Sequence, residues 1–213
     1  MRTFSIYEFG GILAPGSIVL IAAMFFFPQF GVILSKQNLS VGDLGIFVIL
    51  AYVAGQLIQT VGNFLEMVIW KLFGGWPQTW LLKSRALALD SSQLERLRES
   101  VKNDFDFKIP ERDSHVFRKS WLTISREIHV KLLRKKEGKR LEIFNGYYGL
   151  NRGVSAAFLS IAVFLTFREP HNPLYLIFFS LAGLAAYRMY RFSIHFSREL
   201  IYQYLSMKRE IEN

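Results

Sequence analysis

Residues 44–66 read LGIFVILAYVAGQLIQTVGNFLE, a run of 22 uncharged positions closed by Glu66. At 1.5 Å per residue, Leu44–Leu65 spans about 33 Å as a helix, enough to cross a hydrocarbon core of about 30 Å. Tyr52, Gln56, Gln59, Thr60, Asn63 and Glu66 interrupt the apolar run at intervals of three or four. That spacing places six polar side chains on one face of an otherwise apolar helix. Lipid cannot hydrogen-bond an amide or a carboxylate, so this face is expected to meet protein or water. Two uses fit it. The residues hold helices together through interhelical hydrogen bonds, or they line an ion or water path within an oligomer.

Three further windows lack charge: Phe9–Ser35 with 27 residues, Gly153–Phe167 with 15 and Pro170–Tyr187 with 18. The last two need their flanks to cross a bilayer, so the third span is expected to start near Tyr147. Between the two pairs, Lys71–Arg152 carries 18 basic and 10 acidic residues. The expected fold is therefore an all-α polytopic membrane protein with four transmembrane helices in two hairpins and an inserted cytoplasmic helical domain. Residues 1–70 form the first hairpin, with spans at 10–34 and 44–66, and residues 71–146 the basic domain. Residues 147–192 form the second hairpin, with spans at 147–167 and 173–190, and residues 193–213 a helical tail. Of 26 basic residues, all but Lys36 and Arg168 fall on the side of the N-terminus, the middle domain and the tail. The excess of Lys and Arg puts that side in the cytoplasm of a bacterial inner (plasma) membrane. Met1-Arg2-Thr3 is too thin a basic region for a cleaved signal, so the first apolar segment is expected to be retained.

Within the polar domain, Ser92-Gln93-Leu94-Glu95 has the pattern of a capping box opening a helix that stops before Asp104–Pro110. A second helix over Ser114–Lys136 sets Phe117, Trp121, Ile124, Ile128 and Leu132 on one stripe. A third run, with Leu141, Phe144 and Tyr148, flows into the third span. Arg188–Glu212 contains neither proline nor glycine and extends the fourth span as a helix. Trp70, Trp76, Trp80, Tyr147 and Tyr148 suit a cytoplasmic aromatic belt.

Glu66 and Arg152 stand near the cytoplasmic ends of the second and third spans, and Arg152 lies about one turn inside. An ion pair between them would join the two hairpins; separate anchoring of each at the interface is the alternative. Pro15 can open the first helix without losing a hydrogen bond, whereas Pro28 within the span is expected to kink it. The basic residues Lys131, Arg134, Lys135, Lys136, Lys139 and Arg140 suit anionic headgroups, an acidic protein partner, nucleic acid or a cyclic nucleotide, or a solvated face that enforces topology.

The chemistry is bounded mainly by what is missing. With no cysteine there is no disulfide framework, iron–sulfur cluster or cysteine nucleophile. No phosphate-binding glycine loop, nucleophile elbow or His-Glu-x-x-His motif occurs, and His115, His129, His171 and His195 lack metal-ligand spacing. Arg188 and His195 match the loose Arg-x4–6-His spacing of HEPN ribonucleases, but Met189 replaces the polar residue expected after the arginine. No catalytic residue, metal or cofactor is expected, and the chain reads as non-enzymatic.

The entry Tyr7–Gly16 with Leu13-Ala14-Pro15-Gly16, the basic helical domain, and Phe144-Asn145-Gly146-Tyr147-Tyr148-Gly149-Leu150-Asn151-Arg152 leading into the third span together form a recognisable plan. In architecture it resembles the small four-helix inner-membrane effectors of bacterial anti-phage defence systems, of the kinds linked to retrons, cyclic-nucleotide signalling or CRISPR loci. The resemblance implies a homo-oligomeric membrane-perturbing or channel-forming protein, quiet until a signal or partner acts on its cytoplasmic domain. The alternative is a membrane scaffold or sensor that recruits a cytoplasmic effector without conducting.

Overall fold

The computed structural model describes residues 6–27, 29, 41–82, 87, 89–135 and 138–212. Among them the fold is all-helical. The α-helices are α1 (Ile6–Phe26), α2 (Val41–Leu72), α3 (Ser91–Phe105), α4 (His115–Arg134), α5 (Lys139–Arg168) and α6 (Leu174–Glu212), with a 3-10 turn at Pro77–Trp80. Two compact units emerge. One contains Met1–Ile69 and Gly146–Tyr190, and the other contains Trp70–Asn145 and Arg191–Asn213.

The first unit is built on α1, most of α2, most of α5 and the first half of α6. Its helices are apolar over long stretches, yet few of their residues are buried: 17% of the most apolar window of α2 and 44% of that of α5. The difference makes α5 the inner helix of this unit and α2 a peripheral one. Leu57 and Phe64 of α2 are 68% and 66% exposed. Both α2 and α5 are long and apolar enough to cross a membrane. Among the described residues α1 offers a shorter apolar stretch, Gly10–Phe26, and α6 is uncharged from Leu174 to Tyr187 before Arg188 follows.

Close approach of α1 and α2 rests on two glycines. A methyl group at Gly16 would overlap the Ala51 carbonyl, and one at Gly55 would overlap the Ile12 carbonyl. Such small-residue contacts let apolar helices gain dispersion energy where no hydrophobic drive exists in lipid. The Ser155 hydroxyl of α5 donates to the Ala182 carbonyl of α6 at 2.9 Å.

The second unit follows the rules of a water-soluble core. Leu97 and Val101 of α3, the α4 stripe Phe117, Trp121, Ile124, Ile128 and Leu132, and Leu200, Ile201 and Tyr204 of α6 face one another and are buried. Trp121 also donates from Nε1 to the Gln78 carbonyl at 2.8 Å, fixing the 3-10 turn to α4. The start of α3 differs from expectation. Asp90, two residues before Ser92, is the N-cap: its carboxylate accepts from the Gln93 amide while the Gln93 side chain accepts from the Asp90 amide. A carboxylate caps and also complements the helix dipole, so it displaces the nearby serine from that role. The aromatic belt differs too. Trp70 and Trp80 are 2% and 6% exposed and pack edge to face, leaving Trp76 of that trio at the surface.

Candidate functional site

The polar residues of the first unit meet at the crossing of α1, α2 and α5. Pro15 does not open α1, as expected from its position in the sequence, but lies within it. A proline has no N–H to give to the carbonyl four residues earlier, so the Gly11 carbonyl loses its helical partner. Gln59 of α2 supplies one: its Nε2 donates to the Gly11 oxygen at 2.6 Å and to the Gly149 oxygen at 3.3 Å. The same amide accepts on Oε1 from Arg152 Nη2 at 3.0 Å and Nε at 3.2 Å. Arg152 then reaches Glu66, with Nη1 2.6 Å from Oε2. The second Glu66 oxygen accepts from the Tyr148 hydroxyl.

Each link has a reason in the local sequence. Gly153 leaves the room: a methyl group there would stand 2.6 Å from both Gln59 Nε2 and Pro15 Cγ. Arg152 and Tyr148 are four apart on α5, and Gln59 and Glu66 are seven apart on α2, so each pair shares a helix face. Glu66 is 5% exposed. A buried carboxylate is tolerated because Arg152 neutralises it and both oxygens are hydrogen-bonded. With both Glu66 oxygens hydrogen-bonded, the set acts as a joint between three helices.

The six-residue face of α2 therefore divides. Gln59 and Glu66 turn inward to the joint, while Gln56, Thr60 and Asn63 are exposed and Tyr52 is half-buried. At 3.6 residues per turn the six positions occupy an arc of about 120°. Glu66 and Gln59 lie at one edge of that arc and Gln56 and Thr60 at the other, and the edge of the α2–α5 contact runs through it. Gln56 donates to the Tyr52 hydroxyl at 3.1 Å, and the Thr60 hydroxyl donates to the Gln56 carbonyl at 3.4 Å. Asn63 makes no hydrogen bond among the described residues.

The basic residues of the second unit are less uniform than their run in the sequence implies. Lys131 pairs with Asp104 at 3.4 Å and lies over the Phe105 ring, and Arg140 pairs with Glu199 at 3.5 Å. Arg134, Lys135 and Lys139 are exposed. Lys136 and Pro28 lie outside the described residues. Asp104 is the hub of this unit, accepting from Lys208, from the Tyr204 hydroxyl at 3.0 Å and from Lys131. Partial burial pushes its carboxyl up, but the hydrogen bonds from Lys208 and Tyr204 and the charge of Lys131 outweigh that and hold it below the usual carboxylate range. Burial and the Asp104 charge in turn push the Tyr204 phenol up.

Among the described residues no group of three His, Asp or Glu side chains stands together as metal ligands would. His195 stacks on Phe144, and burial followed by the charges of Arg191 and Arg198 depresses its imidazole. Sequence reasoning missed Tyr148 as a partner of Glu66, although its place one turn before Arg152 was a usable signal. It also missed the Gly11 carbonyl, which the proline four residues later exposes. Asp104 gave no signal, since Tyr204 and Lys208 are far away in the chain. Compared with known proteins, the chain matches no family model, no curated protein and no solved structure.

Proposed function

We propose that this chain is a four-span bacterial inner-membrane protein, with both termini and the second unit in the cytoplasm, that assembles into homo-oligomers and perturbs the membrane when its cytoplasmic unit is triggered. One observation carries the proposal: Tyr52, Gln56, Thr60 and Asn63 form a polar ridge on the outer side of a helix long and apolar enough to cross a bilayer. Gln56 lies near the middle of the uncharged run 44–65, where neither water nor a lipid headgroup reaches it. A second copy satisfies such a ridge, because a primary amide is donor and acceptor at once and is complementary to itself. Several copies around one axis would gather these residues into a polar path. The resemblance in plan to membrane effectors of anti-phage defence agrees with a triggered, growth-arresting role.

The absence of cysteine makes the test clean. In membranes, Gln56→Cys is expected to cross-link between copies on oxidation, and Val61→Cys, on the opposite face of α2, is not. Expression of the native chain with its trigger should depolarise the membrane, and Gln56→Leu with Asn63→Leu should abolish that. Cross-linking without depolarisation under any trigger would leave a second reading, a scaffold that recruits an effector. The exposed Arg134, Lys135 and Lys139 favour that reading by offering an acidic partner or anionic lipid a landing surface.

A further inference from the structure

Where the second unit forms ion pairs, it forms them in compact sets. Asp104 takes Lys131 and Lys208, Asp113 takes Arg118, and Glu199 takes Arg140. One place departs from this pattern. A cleft of about 240 Å³ lies between α3 and the end of α6, and Arg96, Glu99, Ser100, Asn103, Lys208 and Arg209 line it. Arg96, Asn103 and Arg209 have no hydrogen bond or ion pair among the described residues. Arg96, Ser100 and Asn103 recur at four and three residues along α3, so one face of that helix presents them together. Arg96, Lys208 and Arg209 thus share one cleft with a single carboxylate, Glu99, which leaves an excess of positive charge on its wall. Nearby, Arg98 Nε is buried with no acceptor among the described residues, beside a second hollow lined by Glu95 and Glu99 as well as Lys102 and Lys108. Across the two hollows six basic side chains face two carboxylates, so this side of α3 carries an excess of positive charge.

We propose that the cleft binds a phosphate group. Arg96 and Arg209 would each offer a planar fork of donors that matches phosphate oxygens, Asn103 would add an amide N–H, and Lys208, already held by Asp104, would contribute charge. Glu99 is the one carboxylate on the wall, and it suits a hydroxyl beside the phosphate. The volume lies below the roughly 300–1,000 Å³ of pockets that enclose a drug-sized ligand. The cleft thus takes a phosphate with its nearest substituents and leaves the rest of the molecule in water. A soluble phosphorylated molecule and a phospholipid headgroup share this chemistry. Resting additionally on the function proposed above, the ligand would be the trigger, since it would bridge α3 to a helix that continues from the first unit. Binding itself needs no such assumption.

The test uses the full chain in phosphatidylcholine nanodiscs, titrated with sodium pyrophosphate in a calorimeter at neutral pH. Saturable binding of one pyrophosphate per chain is expected. Arg96→Gln with Arg209→Gln should weaken it at least tenfold, while Lys119→Gln with Arg126→Gln, exposed on another helix, should leave it unchanged. Asn103→Leu, which alters no charge, should weaken it several-fold and serves if the double arginine variant fails to fold. Repeating the titration in discs containing phosphatidylglycerol separates the sources: competition identifies a headgroup ligand, and unchanged affinity a soluble one. Absence of saturable binding, or equal weakening by the two double variants, would overturn the proposal. Either result is read independently of membrane potential, so it leaves the effector reading to its own test.

Discussion

In the unit built around α3 and α4, Leu97, Trp121 and Leu132 face inward and charged side chains line the outside; in the unit built on α1, α2 and α5, Leu57 and Phe64 face outward and Arg152, Glu66 and Gln59 sit at the centre. Each unit has one polar hub with a carboxylate at its heart, Asp104 in one and Glu66 in the other. The hubs differ in what surrounds them. Water beyond Asp104 can replace a lost partner, at the modest cost that partly exposed pairs carry. Glu66 is 5% exposed and its other partner, the Tyr148 hydroxyl, is neutral, so no second cation replaces Arg152 there. The same residue types thus fasten a surface in one unit and set a unique helix crossing in the other.

The sharpest way to break that contrast is to remove one member of each pair. Arg152→Met should destabilise the first unit by about 3–5 kcal/mol, because Glu66 is left charged and buried. Lys131→Met should cost the second unit well under 1 kcal/mol, since a pair so exposed is screened by solvent. Thermal unfolding of both variants in detergent reads the difference. Arg152→Met combined with Glu66→Met should recover most of the loss, and failure to recover would mean that the pair does more than neutralise charge.

A smaller effect tests the proline. Gln59→Leu leaves the Gly11 carbonyl without a donor, at a cost of about 1–3 kcal/mol for a buried unsatisfied group. Pro15→Ala returns a backbone N–H to that carbonyl, so the double variant should lose less than Gln59→Leu alone. Equal losses would show that the amide acts mainly through Arg152.

The smallest effect lies in the second unit and concerns pH. His129 packs edge-on against Phe196, and its Nε2 is buried with no hydrogen-bond partner among the described residues. Burial depresses its imidazole, with the Glu142 charge acting weakly the other way. The unfolded chain therefore takes up a proton first. Stability should be full above the ordinary value of 6.5 and fall as pH drops below it toward the folded value. His129→Leu should flatten that slope in melts followed by tryptophan fluorescence. The Asp104 contribution is lost separately, below the ordinary carboxylate value of 3.8, so the two groups are distinguishable by window.

Much of this molecule was legible in one dimension. Helical periodicity placed the α4 core stripe residue by residue, because burial in a soluble unit follows a 3.6-residue repeat. The uncharged runs marked the apolar stretches of α2 and α5. The six polar residues of α2 were legible as a face but not as two faces, since a helical wheel fixes angles and says nothing about where a neighbour's edge falls. Trp70 and Trp80 were read as belt residues because amphipathic aromatics suit interfaces and cores alike. The α3 cap was displaced by two residues because serine and aspartate compete for the same role.

By itself the sequence determined that the chain is helical, that its charge and its apolar surface occupy different segments, and that a few polar residues are stranded among the apolar ones. Those are matters of composition and period, which depend on near neighbours. The tertiary structure decided for the Glu66–Arg152 pair over separate anchoring, and it alone added Pro15, Gln59 and Tyr148 to that joint, left Gln56, Thr60 and Asn63 out of it, and set Arg96 and Arg209 on one cleft. Such groupings join residues tens of positions apart, and in the first unit they depend on how closely small residues such as Gly16, Gly55 and Gly153 allow the helices to approach.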